Sequence, residues 1–358
     1  MSVRIFTAPN RSDGLLAQPS APAAAGVDLP EVVEDPRAID RGLPCVYAIG
    51  AFDGVHLGHR ALIGDAIADA RRRGVPVVVL TFDPDPADVI FGMQPLTHLT
   101  CAKDRVRLLL GTGVDAVACI DFTDALMQTG WREFALNVLG GVCKPVSVHV
   151  GTNFRFGFGG EGTPAMLAEL GHENGFEVTA HDLIERDGDV ISATRIRALV
   201  RAGRVREAAC LRGRSHLVRG RVLHGRGEGT GFGFATANLE VDSAICMPGE
   251  GVYAGWGVLG DDAWPAAINV GTPQTFADNT DQSFLEAHLL GFSGDIYGQE
   301  IEIVFSEWLR AARRFESTAE LERVVGDNIK WVQMYLGKGR TDAAAAYRPF
   351  DQAEEVRA

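Results

Sequence analysis

Apolar residues between positions 45 and 184 alternate between two spacings. Short unbroken apolar runs, typical of buried strands, are each followed by segments with apolar residues at three- and four-residue intervals, typical of amphipathic helices. The strand-like runs are 46–49, 75–86, 115–122, 145–151 and 176–184, and the helical segments are 58–73, 101–113, 130–139 and 163–175. Strands that alternate with helices predict βαβ units, and therefore an α/β domain whose parallel sheet is covered on both faces. Ligands in such sheets bind beyond the C-terminal ends of the strands.

The pattern changes in the second half of the chain. Residues 191–213 read as a helix that closes the first domain, and from 217 onward short β-like runs are separated by glycines. Such runs predict a small antiparallel β-barrel, followed by a C-terminal helix at 317–336. The predicted domains are an N-terminal extension at 1–43, the α/β domain at 44–203, a linker at 204–216, the barrel domain at 217–337 and a tail at 338–358. The extension and the tail lack a sustained period, so we expect a mobile or loosely docked arm and a poorly ordered tail.

Composition and charge narrow the possible functions. The net charge of −13 argues against general nucleic-acid binding, which needs a basic face. No apolar run approaches the ~20 residues that span a bilayer, and the N-terminus lacks the pattern of a secretion signal. We expect a cytoplasmic protein with small-molecule partners, and the sequence leaves its oligomeric state open. The six cysteines include no C-x-x-C pair, so we interpret them as reduced thiols with neither a zinc site nor a disulfide framework.

Two histidines lie where the first strand gives way to the first helix. His56 and His59 follow the turn "GAFDG" and flank Gly58. Free backbone N–H groups and the helix dipole attract phosphate at such a junction. Two imidazoles three residues apart can point at one phosphate, which suits the transfer of a phosphoryl or nucleotidyl group. There are two competing interpretations. One is zinc, although the H-x-x-H spacing has no third ligand nearby, and the other is a pair of surface or capping histidines.

A second set of candidate residues lies in the barrel half. The glycine-dense segment 224–239 lets backbone N–H groups approach phosphates, although a flexible hairpin has the same composition. Thr236 and Asn238 end this segment and offer neutral oxygens suited to Mg²⁺ with ATP, or to capping of a turn. Glu286 lies in an apolar strand and is a candidate general base for an alcohol, or a paired or edge-exposed carboxylate.

Four stretches of the first half resemble the bacterial bifunctional riboflavin kinase/FAD synthetase (FMN adenylyltransferase) family. They are "GAFDGVHLGH", "VLTFDPDP", "VGTNFRFG" and "ISATRIR", in the family's order. The resemblance implies a Rossmann-like HxGH nucleotidyltransferase domain that converts FMN and ATP to FAD and pyrophosphate. It implies catalytic roles for His56, His59 and Arg197, ATP contacts at Gly50, Phe52, Asp53, Gly58, Asn153, Ser192 and Thr194, and flavin contacts at Phe154 and Arg155.

The second half resembles the riboflavin kinase module of the same family. The matching stretches are "GFATANL", "GVYAGW", "LEAHLLGFSGDIYG" and "FSEWLRAARRF". The resemblance implies that Thr236 and Asn238 bind Mg²⁺ with ATP, and that Glu286 deprotonates the ribityl hydroxyl of riboflavin, which attacks the γ-phosphate. It also implies ATP contacts at Gly229 and Gly233 and a flavin contact at Arg310.

The chain departs from the family's pattern at several positions. Asp85 replaces a histidine of the P-H-P motif, where a carboxylate is expected to repel phosphate unless Mg²⁺ intervenes. The other departures are Ala193, Ala235, Gln274, Gly291 and Ala312, with Glu228 and Thr230 where arginines are common. They leave open a single-activity FMN adenylyltransferase with a degenerate kinase module, or a non-catalytic flavin- or nucleotide-binding regulator. The matches in the second half argue against a nucleotidyltransferase that acts on a nicotinamide nucleotide.

Overall fold

The computed structural model describes residues 2–8, 31–92, 97–224, 236–271, 284–313 and 315–350. The chain forms two compact units, Met1–Leu96 with Thr100–Ser192 and Thr97–Leu99 with Ala193–Ala358. The elements of the first unit are β1 (Val3–Thr7), β2 (Val33–Glu34), β3 (Pro44–Ile49), α1 (Leu57–Arg73), β4 (Val77–Phe82), α2 (Pro86–Phe91), α3 (Ala102–Leu110), β5 (Ala116–Ile120), α4 (Asp124–Met127), α5 (Trp131–Gly140), β6 (Lys144–Gly151), α6 (Pro164–Asn174), β7 (Glu177–His181), β8 (Glu185–Arg186) and β9 (Asp189–Val190).

The first unit is built on a mixed sheet with the order β2-β1-β5-β4-β3-β6-β7 among the described strands. Neighbours from β5 to β7 pair in parallel, as the alternating pattern predicts. All residues of β4 and β5 are buried, because helices cover both faces of the sheet. One apolar core contains side chains of α1 and α3, and the other contains side chains of α5 and α6. The predicted parallel α/β architecture is confirmed.

The N-terminal segment contributes a strand that the sequence pattern missed. Residues Val3–Thr7 pair antiparallel with β5, from Val3 opposite Ile120 to Phe6 opposite Val117. Ile5 is buried in the apolar core of the first unit. The expected mobile arm is therefore wrong for this strand, since five residues are too few to display a period, while residues 9–30 lie outside the described part of the chain.

Two cysteines are paired, contrary to the expectation of reduced thiols throughout. Cys45 and Cys143 form a disulfide across 98 residues of sequence. They meet because β3 and β6 are parallel neighbours in which Cys45 lies opposite Pro145. The hydroxyl of Tyr47 donates to the Leu139 carbonyl at 2.8 Å beside this pair. The pairing depends on strand order, which no spacing of cysteines reveals.

The second unit is a closed antiparallel barrel with helices, as the glycine-separated runs predict. Its elements are α7 (Ala193–Arg201), α8 (Val205–Arg212), β10 (His216–Leu223), β11 (Ala237–Val241), β12 (Gly251–Leu259), β13 (Asp262–Gly271), β14 (Phe284–Leu289), β15 (Glu300–Arg310), α9 (Thr318–Tyr335), β16 (Thr341–Asp342) and α10 (Ala343–Ala346). Among the described strands the order is β12-β15-β10-β11-β14-β13, and pairing of β12 with β13 closes the ring.

The helical pattern at 191–213 is confirmed as two helices, α7 and α8, with Gly203 between them at a positive φ of 74°. The sequence assigned residues up to 203 to the first domain, but both helices belong to the second unit. The expectation of a poorly ordered tail is wrong for the residues of the tail that the structure describes, since β16 pairs with β13, and Tyr347 and Phe350 are buried. The Tyr347 hydroxyl donates a hydrogen bond to the Glu302 carboxylate, which fastens the tail to the barrel.

A buried polar network joins α1 to β6 and β7 in the first unit. His149 contacts the Asp69 carboxylate through Nε2 at 3.3 Å, and its Nδ1 lies 2.9 Å from Nε2 of His181. Nδ1 of His181 lies 3.3 Å from the Asp65 carboxylate. Burial lowers the pKa of His149, which favours the neutral form of this imidazole in the folded protein. Burial raises the pKa of Asp69, but hydrogen bonds, including one from Arg73, reverse this and lower it to about 2.

The lowered pKa values of His149 and Asp69 both predict that the folded protein loses stability in acid. The unfolded chain binds more protons than the folded chain below the ordinary pKa of each group, near 6.5 for His149 and 3.8 for Asp69. The free energy of unfolding should therefore fall as the pH drops from 7 to 5, chiefly through His149, and fall further below pH 4 through Asp69. Urea unfolding at pH 7.0 and at about pH 5.0 measures the first step. His149→Gln, which does not titrate, should flatten it, and an unchanged pH dependence in that variant would contradict the assignment.

Candidate active sites

The predicted junction of strand, turn and helix is confirmed at His56 and His59. His56 caps α1 with an extended backbone, and its Nδ1 accepts the backbone N–H of His59 at 3.3 Å. The two imidazole rings stack with centroids 3.6 Å apart. His56 is 5% exposed and His59 is half-buried. Because Nδ1 of His56 accepts this hydrogen bond, the proton of the neutral ring lies on Nε2.

Phe52 supports this pair from the core. It is 2% exposed, and the edge of its ring meets His59 with centroids 5.1 Å apart. Glycines make room for these rings, since a Cβ at Gly50 would lie 3.1 Å from the Phe52 ring and one at Gly58 would lie 3.2 Å from the His56 ring. The Phe52 ring is thus buried, and the ATP contact expected at this residue stays a prediction.

Asp53 follows in the same turn and is also buried, at 5% exposure. Its Oδ1 accepts the backbone N–H of Thr100 at 3.2 Å and the Thr100 hydroxyl at 3.4 Å. Thr100 belongs to no motif in the sequence, and nothing in the spacing of residues links it to Asp53. The side chain of Asp53 is therefore turned to the protein, where it helps to shape the turn.

Asn153, Phe154 and Arg155 follow β6 at the same edge of the sheet, because β3 and β6 are parallel neighbours. A Cβ at Gly151 would lie 2.9 Å from Oδ1 of Asn153, so this amide folds back over the strand end. Phe154 stacks on Phe156 with centroids 5.5 Å apart. Arg155 donates to the Phe154 carbonyl at 2.8 Å.

The remaining predicted residues of this site lie at the boundary of the two units. Ser192, half-buried, ends the first unit. Thr194 and Arg197 lie on α7 in the second unit, where Arg197 donates to the Thr194 hydroxyl at 3.2 Å. Ala193, one of the departures from the family's pattern, is the first residue of α7. A role of Thr194 and Arg197 beside the two histidines stays a prediction.

The structure shows Asp85 at the start of α2, next to a buried arginine that the sequence motif does not indicate. Its carboxylate caps α2 by accepting the backbone N–H of Ala87 at 3.0 Å. The other oxygen lies 3.9 Å from the guanidinium of Arg105, which is 3% exposed and donates to the Phe82 carbonyl at 2.5 Å. Asp85 therefore has a cation beside it, and the predicted repulsion of phosphate by its carboxylate stays a prediction.

The double role of Asp85 predicts a graded effect on stability. Asp85→Ala removes the cap and the anion beside Arg105, and should cost at least ~1 kcal/mol of unfolding free energy. Asp85→Asn keeps a good cap and removes only the charge, so its cost should be smaller. Urea unfolding of both variants measures the difference. Equal stability of wild type and Asp85→Ala would contradict this account of the side chain.

In the barrel, three polar side chains lie side by side on adjacent strands. Asn238 of β11 lies directly opposite Glu286 of β14, and Glu286 lies opposite Asn269 of β13. All three are half-buried, whereas Leu285 and Ala287 on the other face of β14 are fully buried. Successive side chains of a strand point to opposite faces, so Glu286 lies on the more exposed face of β14 while its apolar neighbours face the core. Asn269 was not recognised from the sequence.

Thr236 immediately precedes β11 and is half-buried. Arg310 ends β15, opposite Val252, which also lies opposite Asn269. Burial lowers the pKa of Arg310, and its guanidinium lies over the Phe315 ring at 5.5 Å. The predicted ATP contacts Gly229 and Gly233 lie outside the described residues, as do the departures Ala235, Gln274, Glu228 and Thr230.

The predicted metal residues Thr236 and Asn238 offer oxygens that suit a magnesium ion. Thr236 immediately precedes β11 and Asn238 lies on it, so both side chains come from one short stretch of chain. A hydroxyl and an amide oxygen are hard donors, which Mg²⁺ prefers. A site of this kind leaves positions for water and for the phosphates of a nucleotide.

Two further departures from the family's pattern have distinct surroundings. Gly291 adopts a φ of 75°, and a Cβ there would lie 2.7 Å from the Lys338 carbonyl. A glycine at this position therefore accommodates the docked tail. Ala312 lies after β15 and is half-buried, and nothing in its surroundings explains the substitution.

Comparison with known proteins assigns each half of the chain. The FAD synthetase family profile matches residues 39–195, and the riboflavin kinase family profile matches residues 212–336. The bifunctional riboflavin kinase/FMN adenylyltransferase of Escherichia coli K12 is 35% identical over 82% of this chain and 93% of its own length. The enzymes with the same name from Pseudomonas fluorescens and Listeria monocytogenes are each 33% identical, over 80% and 78% of this chain and 91% and 89% of their own lengths.

One solved structure has the same fold as this chain over most of both chains. The crystal structure titled macrolide-efflux protein from Streptococcus pneumoniae has a TM-score of 0.74 and 27% identity, and covers 82% of this chain and 95% of that one. The efflux named in that title is not carried over to this chain. Among the described residues, no helix has the length and apolar character needed to cross a bilayer.

Proposed function

The chain belongs to the bifunctional riboflavin kinase/FMN adenylyltransferase family, and from that premise we propose how its two halves make FAD. The barrel half phosphorylates riboflavin with ATP to give FMN. The α/β half adenylylates FMN with a second ATP to give FAD and releases pyrophosphate. The observation that supports this assignment best is that each half matches one of the two enzyme families and carries its own polar site.

At the barrel, we assign Glu286 as the general base. Its carboxylate accepts the proton of the terminal ribityl hydroxyl, and that oxygen attacks the γ-phosphorus of ATP while the bond to the β-phosphate oxygen breaks and ADP leaves. Asn238 and Thr236 would hold Mg²⁺, which neutralises charge on the phosphates when bound. Asn238 and Asn269 lie opposite Glu286 on the two neighbouring strands.

At the α/β site, a phosphate oxygen of FMN attacks the α-phosphorus of ATP, and the bond from that phosphorus to the β-phosphate oxygen breaks. His56 and His59 stabilise the negative charge that spreads over the phosphate oxygens, through donated N–H groups at the positive end of α1. No covalent intermediate with the enzyme is needed. Positioning of the two substrates supplies much of the rate. We also propose a cytoplasmic location, since both steps consume ATP.

The assignment is tested by incubating the full chain with ATP and Mg²⁺ and separating the flavins by chromatography. With riboflavin as substrate, FMN should appear first and FAD after it, whereas with FMN the only new flavin should be FAD. FAD from FMN without any FMN from riboflavin would instead identify a single-activity adenylyltransferase. Tight flavin binding without either product would identify a regulator and overturn the assignment.

A further inference from the structure

The turn that leads into α1 has an unusual backbone. Phe52 and Val55 have positive φ values of 55° and 36°, and Gly54 between them has 73°. Residues other than glycine rarely adopt this region, and a β-branched residue such as valine is strongly disfavoured there. Such a conformation persists only where the surrounding structure fixes it. The turn therefore needs restraints from outside its own sequence.

One such restraint comes from Thr100, which lies 46 residues beyond Gly54. Thr100 is 4% exposed. Its hydroxyl accepts the backbone N–H of Gly54 at 3.2 Å and donates to Oδ1 of Asp53 at 3.4 Å. Its own backbone N–H donates to the same Asp53 oxygen at 3.2 Å. A single hydroxyl thus acts as donor and acceptor to two successive residues of the turn.

The restrained residues lead directly to the two histidines. Val55 follows Gly54 and precedes His56, which caps α1. The His56 ring is held by the hydrogen bond that its Nδ1 accepts from the backbone N–H of His59. A shift of this turn would therefore displace the His56 ring and the stacked His59 ring together. A displacement of about 1 Å in an active site can cost about 100-fold in rate.

We propose that Thr100 is a positioning residue of the adenylyl-transfer site, because its hydroxyl fixes the 53–55 turn that aims His56 and His59. The proposal rests on the proposed function of the α/β half. Thr100 does not contact the nucleotide in this account, and it acts through the backbone of Gly54 and the side chain of Asp53.

The test compares three substitutions at this position. Thr100→Val keeps the shape and the backbone N–H but removes the hydroxyl, and Thr100→Ala removes the hydroxyl without adding an apolar group beside Asp53. Both should lower kcat for FAD formation from FMN about 10- to 100-fold, with a smaller change in the KM for ATP. Thr100→Ser keeps the hydroxyl and should retain the rate within about threefold of wild type.

Two controls separate positioning from a general loss of fold. FMN formation from riboflavin, catalysed by the other half of the same chain, should be unchanged in all three variants. Thr7→Val makes the same isosteric change at another buried threonine, on β1, whose hydroxyl has no hydrogen-bond partner among the described residues, and should leave both rates unchanged. Thr7 is a suitable control because β5 and β4 separate β1 from β3, the strand that leads to the two histidines.

The outcomes decide the proposal. Wild-type FAD formation in Thr100→Val or Thr100→Ala would overturn it, as would a Thr100→Ser variant as impaired as these two. If Thr100→Val does not fold, Thr100→Ala and Thr100→Ser still give the comparison. Absence of FAD formation in the wild-type chain would be a failure of the proposed function, recognisable before any variant is compared.

Discussion

Replacing Glu286 by glutamine is expected to lower kcat for FMN formation from riboflavin by about 10²- to 10⁴-fold. Glutamine has the shape of glutamate but cannot take up the proton of the ribityl hydroxyl, so the attacking oxygen is no longer activated. The fold should persist, because Glu286 is half-buried on the outer face of β14 and not in the barrel core. FMN adenylylation in the same variant should run at the wild-type rate. Steady-state rates with riboflavin and with FMN as alternative substrates measure both.

Glu240 provides the matched control for this change. It is an exposed glutamate on β11, two residues from Asn238, and therefore on the same face of the barrel. Glu240→Gln should leave both rates unchanged, which would show that the loss at Glu286 does not arise from the lower negative charge on this face. A wild-type rate of FMN formation in Glu286→Gln would remove Glu286 from the role of base.

Replacing His59 by alanine should lower FAD formation from FMN by about 10²- to 10³-fold, the usual effect of removing one donor to a transition-state oxyanion. His59 is the better choice than His56, because loss of the His56 ring also removes the acceptor that caps α1. FMN formation from riboflavin should be spared, since it is assigned to the barrel half. The rates are measured as for Glu286→Gln.

His172 gives the control for the histidine substitution. It is an exposed histidine in the last turn of α6, away from the start of α1. His172→Ala should retain both activities. Equal loss of FMN and FAD formation in His59→Ala, with the fold intact by circular dichroism, would contradict the division of the two reactions between the two halves.

The sequence predicts those parts of the fold that depend on local periodicity. Strands β3 and β4 and helix α1, which is capped by Gly74, have patterns regular enough to be recognised in the sequence. Strand β1 and the docked tail are not, because a five-residue strand and a few buried side chains such as Tyr347 show no period. Both acquire their structure from contacts with distant strands. The Cys45–Cys143 disulfide was missed for the same reason, since it follows from the order of β3 and β6.

The candidate sites show the same division. His56 and His59 are three residues apart and are recognisable as a motif at the start of a helix, and the structure adds the stacking of their rings. Thr100 contacts Gly54 from 46 residues away in the sequence, and Asn269 lies opposite Glu286 on a neighbouring strand. No local spacing in the sequence indicates either contact. The environment of Asp85 includes Arg105, which lies on another helix, so the sequence reveals the charge of Asp85 but not the cation beside it.

The most direct test of two separate sites is to mix the two impaired variants. Neither Glu286→Gln nor His59→Ala alone should convert riboflavin to FAD at an appreciable rate. Mixed in equal amounts with riboflavin, ATP and Mg²⁺, they should restore FAD formation, because FMN made by the intact barrel of His59→Ala is adenylylated by the intact α/β half of Glu286→Gln. Chromatography should show FMN accumulating before FAD. A mixture that forms no more FAD than either variant alone, while wild type forms it readily, would contradict the assignment of one reaction to each half.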